Sequence, residues 1–175
     1  LIEEELWFSR RDLFSELNMV FFDTTTLYFE GEGGKDLGKR GKSKDFRSHL
    51  KQMVVGAVLD DSGTPICCEM WPGNTADVKS LIPVVERLKE RFLLRHFCVV
   101  ADRGMISKST MAALEKDESG LSYILGARMR NVKEIRDEVL SRGGRYKEVR
   151  REEGPKSPSP LKVKEVRVGE SRYIL

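Results

Sequence analysis

The sequence predicts an α/β protein built on one mixed sheet flanked by helices, and three observations carry that expectation. Runs dense in apolar, β-branched and aromatic residues come first, at Met19 to Phe29, Lys51 to Leu59 and Thr64 to Trp71, the last two joined by the turn signal Asp60-Asp61-Ser62-Gly63. Behind them, helix-like and strand-like periods alternate as far as Leu125. The composition agrees: 175 residues, 39% hydrophobic and 34% charged, suit one domain core, too apolar for a disordered chain and too charged for a membrane protein.

Residues 1–18 set Leu6, Leu13, Phe14 and Leu17 among Glu and Arg, a rough helical stripe that ends at Asn18 and reads as a surface helix. Met19 to Phe29 reads as a buried strand stopped by Glu30-Gly31. The short link between the second and third strands favours an antiparallel hairpin. After Pro72-Gly73-Asn74-Thr75, the positions Val78, Leu81, Ile82, Val85, Leu88 and Phe92 recur at helical spacing. Pro83 is tolerated only in the first turn of that helix, so Ser80 is the natural cap, and Asn74 or Thr75 could cap a preceding turn. Residues 97–101 form a fourth strand, 107–116 a second helix and 121–125 a fifth strand. This order matches a ribonuclease-H-like mixed sheet, with a doubly wound sheet carrying an added hairpin as the alternative. From Gly126 the texture changes: a helix over 131–141, a break at Gly143-Gly144, a Pro-rich loop over 153–160, and Val-rich pieces at 161–168 and 173–175. We expect a core over 1–126 and a basic, mostly β insertion over 127–175.

The longest nearly unbroken apolar stretch, Met53 to Leu59, is far shorter than the roughly 20 residues of a bilayer-spanning helix, and no charged-then-apolar leader opens the chain. Three cysteines without a CxxC pair argue against a disulfide framework or a zinc site and fit a reducing cytoplasm. The chain starts without Met and stops at Leu175 inside an apolar run, which reads as a fragment of a longer protein.

Asp23 is the most informative residue, because a lone carboxylate within so apolar a strand is costly to desolvate and needs a cation, an Arg partner or a strand end bent into solvent. Asp102 directly follows Phe97-Cys-Val-Val-Ala101, at the carboxyl end of a strand, where open α/β sheets place ligand sites; its alternative role is capping the turn at Arg103-Gly104. In a ribonuclease-H-like sheet the first and fourth strands are neighbours, so the two acids would meet. Adjacent carboxylates repel unless they share a proton or a cation, and hard oxygen donors without His or Cys nearby favour Mg²⁺ or Mn²⁺, with two-metal phosphoryl transfer as the natural chemistry. The net charge of +3 hides clustering. Residues 33–47 hold Lys35, Lys39, Arg40, Lys42, Lys44 and Arg47 among four glycines, and a flexible basic loop beside Asp23 suits a nucleic-acid backbone, or is simply a solvated hairpin loop. A P-loop is ruled out, since Asp36 stands where Gly41-Lys42-Ser43 needs a glycine five positions earlier. A second basic cluster runs from Arg128 through Arg130 to Arg151. His49 and His96 show no ligand spacing, and Cys67 and Cys68 read as small core residues.

Four ordered blocks resemble the DDE-class transposases of bacterial insertion sequences, in the group with a β-rich insertion in a ribonuclease-H-like catalytic domain. Asp23-Thr-Thr-Thr-Leu-Tyr-Phe-Glu30 is similar to the family's first-Asp strand, Gly41-Lys-Ser-Lys-Asp-Phe-Arg47 with Leu50-Lys-Gln52 to its Ser-Lys-Asp-x-Arg segment, Gly73-Asn-Thr-Ala-Asp77 to its Gly-Asn turn, and Ala101-Asp-Arg-Gly104 to its second-Asp turn. His49 stands where an acid is expected. The resemblance implies that Asp23 and Asp102 are catalytic acids holding Mg²⁺ or Mn²⁺. It further implies a nucleoid-associated enzyme that cleaves transposon-end DNA and transfers the strand into target DNA, as a homodimer in a synaptic complex and with no membrane partner. The family's third acid lies in a Tyr-x2-Arg-x3-Glu-x6-Lys motif that this chain lacks; Glu134 and Glu138 are the nearest mimics, and the fragment is expected to be inactive. The alternatives are a ribonuclease-H-like nuclease or resolvase, and a non-catalytic DNA-binding remnant.

Overall fold

The computed structural model describes residues 2–11, 17–31, 33–43, 45–116, 121–127, 133, 135–149 and 161–175. Strands β1 (Met19–Phe29), β2 (Lys51–Leu59) and β3 (Pro65–Pro72) run antiparallel in succession, while β4 (Cys98–Ala101) lies parallel to β1 and β5 (Ser122–Leu125) parallel to β4. The sheet order is therefore β3-β2-β1-β4-β5. Hairpins build one side of β1, and helical crossovers build the other. A doubly wound sheet would instead place crossover helices on both sides of its first strand, so the order is the ribonuclease-H-like one.

Strand alternation decides which face holds the core. Val20, Phe22 and Thr24 are buried, while Met19, Phe21, Asp23 and Thr25 between them are exposed. Helix α2 (Leu81–Phe92) lays Leu81, Val84, Val85, Leu88 and Phe92 on the buried face, and α3 (Lys108–Glu115) adds Leu114. Each such side chain taken from water stabilises the fold by about 1.5–3 kcal/mol. Pro83 falls in the first turn of α2, as the sequence requires, but Ser80 does not cap it with its side chain; the hydroxyl donates instead to the Asp77 carbonyl at 2.6 Å. Ser107 does cap α3, accepting from Thr110 N at 3.0 Å.

Helix α1 (Ile2–Arg10) departs from the predicted stripe. Leu6 is exposed; Trp7 is the buried residue, edge-on to Phe92 with ring centroids 6.1 Å apart. Arg91 of α2 adds ion pairs to Glu4 at 2.6 Å and Glu3 at 3.2 Å, so Trp7 and these charges, rather than leucines, join α1 to α2. Leu13 and Phe14 lie outside the described residues, whereas Leu17 packs on the core. Cys68 is also exposed, contrary to expectation, and its N–H donates to Glu3 at 2.9 Å; Cys67 alone joins the core.

The chain forms two compact units, Leu1–Ala127 and Arg128–Leu175. The second carries a π-helical turn (Ile135–Leu140) where an α-helix over 131–141 is expected, then β6 (Lys147–Val149) paired antiparallel with β7 (Leu161–Val163), and the hairpin β8 (Glu165–Val168)–β9 (Ser171–Ile174). The expected 161–168 piece changes partner at Lys164, with β7 paired to β6 and β8 to β9; the Lys164 ammonium donates to the Arg142 carbonyl at 2.6 Å, and its backbone exchanges hydrogen bonds with Leu175 at 3.1 and 2.9 Å. No helix among the described residues is long and apolar enough to cross a membrane.

Candidate functional site

The parallel register of β1 on β4 sets the site. Met19, Val20, Phe21 and Phe22 pair with Cys98, Val99, Val100 and Ala101, so the next step along both strands brings Asp23 beside Asp102. Phe22 and Ala101 are buried, and side chains one residue further on turn to the other face; Asp23 and Asp102 are both exposed there. Asp102 keeps an extended backbone (φ −74°, ψ 161°) that continues the strand direction, and its side chain does not cap the following 3₁₀ turn (Arg103–Met105). Asp23 accepts the Thr24 N–H at 2.8 Å.

Asp23 is thus not the desolvated carboxylate that its apolar strand suggests. The strand is apolar on both faces, but the face that carries Asp23 is exposed at Met19, Phe21 and Leu27 as well, so the carboxylate sits in water rather than in the core. The placement of Asp23 and Asp102 one residue past the paired Phe22 and Ala101 rests on register and not on burial. Gly126 keeps room beside the pair: a Cβ there would stand 3.5 Å from Asp102 Oδ1 and 3.0 Å from Arg103 N.

Asp77, which the sequence offers only as the last residue of the Gly73–Asp77 turn, approaches β1 beside Asp23 from the covered side. Thr24, next to Asp23 and buried, donates its hydroxyl to Asp77 Oδ1 at 3.1 Å. The other Asp77 oxygen faces Gly104, where a Cβ would lie 3.4 Å from it. The available signal was Thr24 itself, a hydroxyl on a core-facing strand position that must find an acceptor. The donor chemistry at Asp23 and Asp102, carboxylate oxygen on adjacent strands, fits Mg²⁺ or Mn²⁺. Among the described residues, however, no three acids, histidines or cysteines gather closely enough to hold an ion by themselves.

The basic segment is more ordered than a free hairpin loop. Lys39 and Gln52 exchange backbone hydrogen bonds at 3.1 and 2.9 Å, and Gly73 N donates to the Leu37 carbonyl at 3.1 Å. The buried Gln52 amide donates to the Gly73 carbonyl at 2.9 Å. Only glycine fits where these strands cross, since a Cβ on Gly73 would collide with the Gln52 and Lys39 carbonyls, and one on Gly41 with the Gly73 carbonyl. Lys35, Lys39, Arg40, Lys42 and Arg47 all stand exposed on this lobe; Lys39 Nζ turns back to the Lys35 carbonyl at 2.8 Å, and the Arg47 guanidinium lies 5.8 Å from the Tyr28 ring centre. Lys44, Arg128, Arg130 and Glu134 lie outside the described residues, and Glu138 is exposed on the π-helical turn. His49 and His96 are exposed, and all three cysteines are free. Burial, then the nearby Glu3 and Glu69 charges, pushes the Cys67 thiol up to about 12, so it stays protonated and inert as a ligand.

No curated protein matches the chain in sequence. Among solved structures, the chain is similar to the Mos1 transposase paired-end complex with left transposon end, at 18% identity and a TM-score of 0.42, covering 73% of this chain and 41% of that one. It is also similar to the piggyBac transposase synaptic complex with hairpin DNA, at 16% identity and a TM-score of 0.47, covering 76% of this chain and 28% of that one. A Mos1 mariner paired-end complex with Mn gives 17% identity and a TM-score of 0.40, covering 70% and 40%. The chain thus spans well under half the length of these proteins. The family match is broader: the transposase DDE domain aligns with residues 15–167, running from the segment before β1 through both aspartates, the basic lobe and most of the second unit. By that match, the chain belongs to the transposase DDE domain family.

Proposed function

We propose that the chain is part of the catalytic domain of a DNA transposase, which cuts transposon-end DNA by metal-dependent phosphoryl transfer and joins the freed 3′-hydroxyl to target DNA. The observation that carries this reading is the β1–β4 register, which sets Asp23 and Asp102 side by side on one exposed face. In this reading both are catalytic acids, and their carboxylates hold Mg²⁺ or Mn²⁺. Bound there, the ions would activate the attacking oxygen and stabilise the leaving one. The Thr24–Asp77 hydrogen bond steadies β1 beside Asp23 from the covered face, and Gly126 leaves the approach to Asp102 open. Lys35, Lys39, Arg40, Lys42 and Arg47, with Lys44, Arg128 and Arg130, bind phosphates. Residues 1–126 are the incomplete core and 127–175 the start of an insertion. The enzyme acts as a homodimer on paired ends at the bacterial nucleoid, and this chain alone does not cleave DNA, because two acids leave the second ion poorly held.

The test has two arms on the purified chain. Mn²⁺ binding followed by electron paramagnetic resonance should be lost in Asp23→Asn and in Asp102→Asn, with DNA affinity unchanged in both. DNA affinity should itself fall steeply with salt, by a log-log slope of about −0.9 per phosphate contact. Mn²⁺ binding that survives both substitutions would refute the metal assignment, and salt-independent DNA binding would refute the phosphate grip. Salt-dependent DNA binding by a chain that binds no Mn²⁺ would point to the DNA-binding remnant.

A further inference from the structure

Phe46 is the most exposed large apolar side chain among the described residues, at 97%. Its backbone is also held at φ +59°, a left-handed conformation that side chains other than glycine adopt only at a cost and that is an outlier for a bulky residue. Cross-links on either side keep it there. The Ser43 hydroxyl accepts the Asp45 N–H at 3.2 Å and the Arg47 N–H at 2.7 Å, and bonds the Tyr28 hydroxyl at 2.8 Å. Arg47 then packs its guanidinium over the Tyr28 ring. The turn is thus tied to β1 at two points while Phe46 projects from its apex. A side chain that neither packs nor lets its backbone relax adds nothing to the fold, and strain of this kind gathers at ligand contacts.

The surroundings define the ligand chemistry. Lys42 and Arg47 are exposed on either side of it, so an aromatic face stands beside cations. Single-stranded nucleic acids are held by that combination, with cations on the phosphates and a ring against a base, because every base has a π-face. We propose that Phe46 is a base-stacking contact, packing its ring on an unpaired or unstacked DNA base while the neighbouring cations hold the backbone. This rests on the DNA-binding reading above and extends it from phosphates to a base.

The test is a fluorescence-anisotropy titration of the whole chain with a labelled single-stranded oligonucleotide, and with one of the same length whose central nucleotides are abasic. Phe46→Ala should weaken binding to the base-containing strand by about 5- to 150-fold, the range for removing one stacking platform. It should leave binding to the abasic strand unchanged, and Phe46→Trp should restore the affinity. The salt slope should be the same in Phe46→Ala as in the wild type, because no phosphate contact is removed. Equal affinities of wild type and Phe46→Ala for the base-containing strand, or an equal loss on both strands, overturns the proposal. So does a lowered melting temperature for Phe46→Ala, which would mean that the ring packs within the fold. Absence of any salt-dependent binding by the wild type would instead overturn the DNA-binding reading, and this inference with it.

Discussion

Asp23→Asn should have opposite effects on stability without and with metal. The amide keeps the Oδ1 acceptor for the Thr24 N–H, so the change is mainly one of charge. In the metal-free wild type, two carboxylates on neighbouring strands stand roughly 5 Å apart. At the dielectric constant of water, which suits an exposed pair, they repel by about 0.8 kcal/mol. Removing one charge should therefore raise the melting temperature in EDTA by about 2–3 °C for a chain of this size. Added Mn²⁺ at ten times its dissociation constant should then stabilise the wild type by about 1.4 kcal/mol, or about 3–6 °C, and leave the variant unmoved. Differential scanning calorimetry at low ionic strength, with EDTA and then with Mn²⁺, would show the two melting curves exchange order. If the variant is less stable than the wild type in EDTA, and Mn²⁺ shifts both equally, the aspartates do not share a cation and the argument from register fails.

Three further outcomes follow from the packing. Phe92→Ala, which empties a fully buried position against Trp7, should cost about 3–5 kcal/mol, read as a lowered urea midpoint. Gly73→Ala cannot place its Cβ without moving the Gln52 and Lys39 carbonyls, so it should loosen the basic lobe; limited proteolysis should cut within residues 33–47 sooner than in the wild type, and an unchanged pattern would show that the crossing does not hold the lobe. The Cys67 thiol, raised in the fold, supports stability fully below the ordinary thiol range. That support should be lost as pH rises from about 9 in the unfolded chain toward about 12 in the fold, so alkaline melting should flatten in Cys67→Ser, while an alkylating reagent at pH 8.5 should label Cys68 in the native protein before Cys67.

Much of the fold can be read from the sequence, because the elements that matter carry strong local signals. The Asp60–Gly63 turn fixes the hairpin, Pro83 limits the start of α2, and the apolar period from Val78 to Phe92 is unambiguous. The failures share a cause. A strand with Phe21 and Phe22 on opposite faces has no period-2 contrast, so nothing local tells which side of β1 faces the core or that Asp23 meets water. In α1 the contacts that matter, Trp7 with Phe92 and Arg91 with Glu3 and Glu4, join residues far apart in the chain, and Trp7 rather than Leu6 faces inward. Asp77 was hidden for the same reason: its partner Thr24 lies 53 residues away. At the site, the parallel adjacency of β1 and β4 was legible because it depends on strand order, and the order of the lobe was not, because it depends on glycine contacts across the fold.

The glycine crossing that fastens residues 37–41 beneath Gly73 and Gln52 also bears on the thermodynamics of binding. A loose cationic loop loses conformational freedom when it meets a polyanion, at about 1–2 kcal/mol for each backbone residue immobilised. In this lobe the freedom of the pinned residues is already lost when the domain folds, so association there immobilises mainly the lysine and arginine side chains. A preorganised lobe of this kind should bind with little change in heat capacity or in amide exchange over residues 37–41, its favourable entropy coming from counterions returned to solvent.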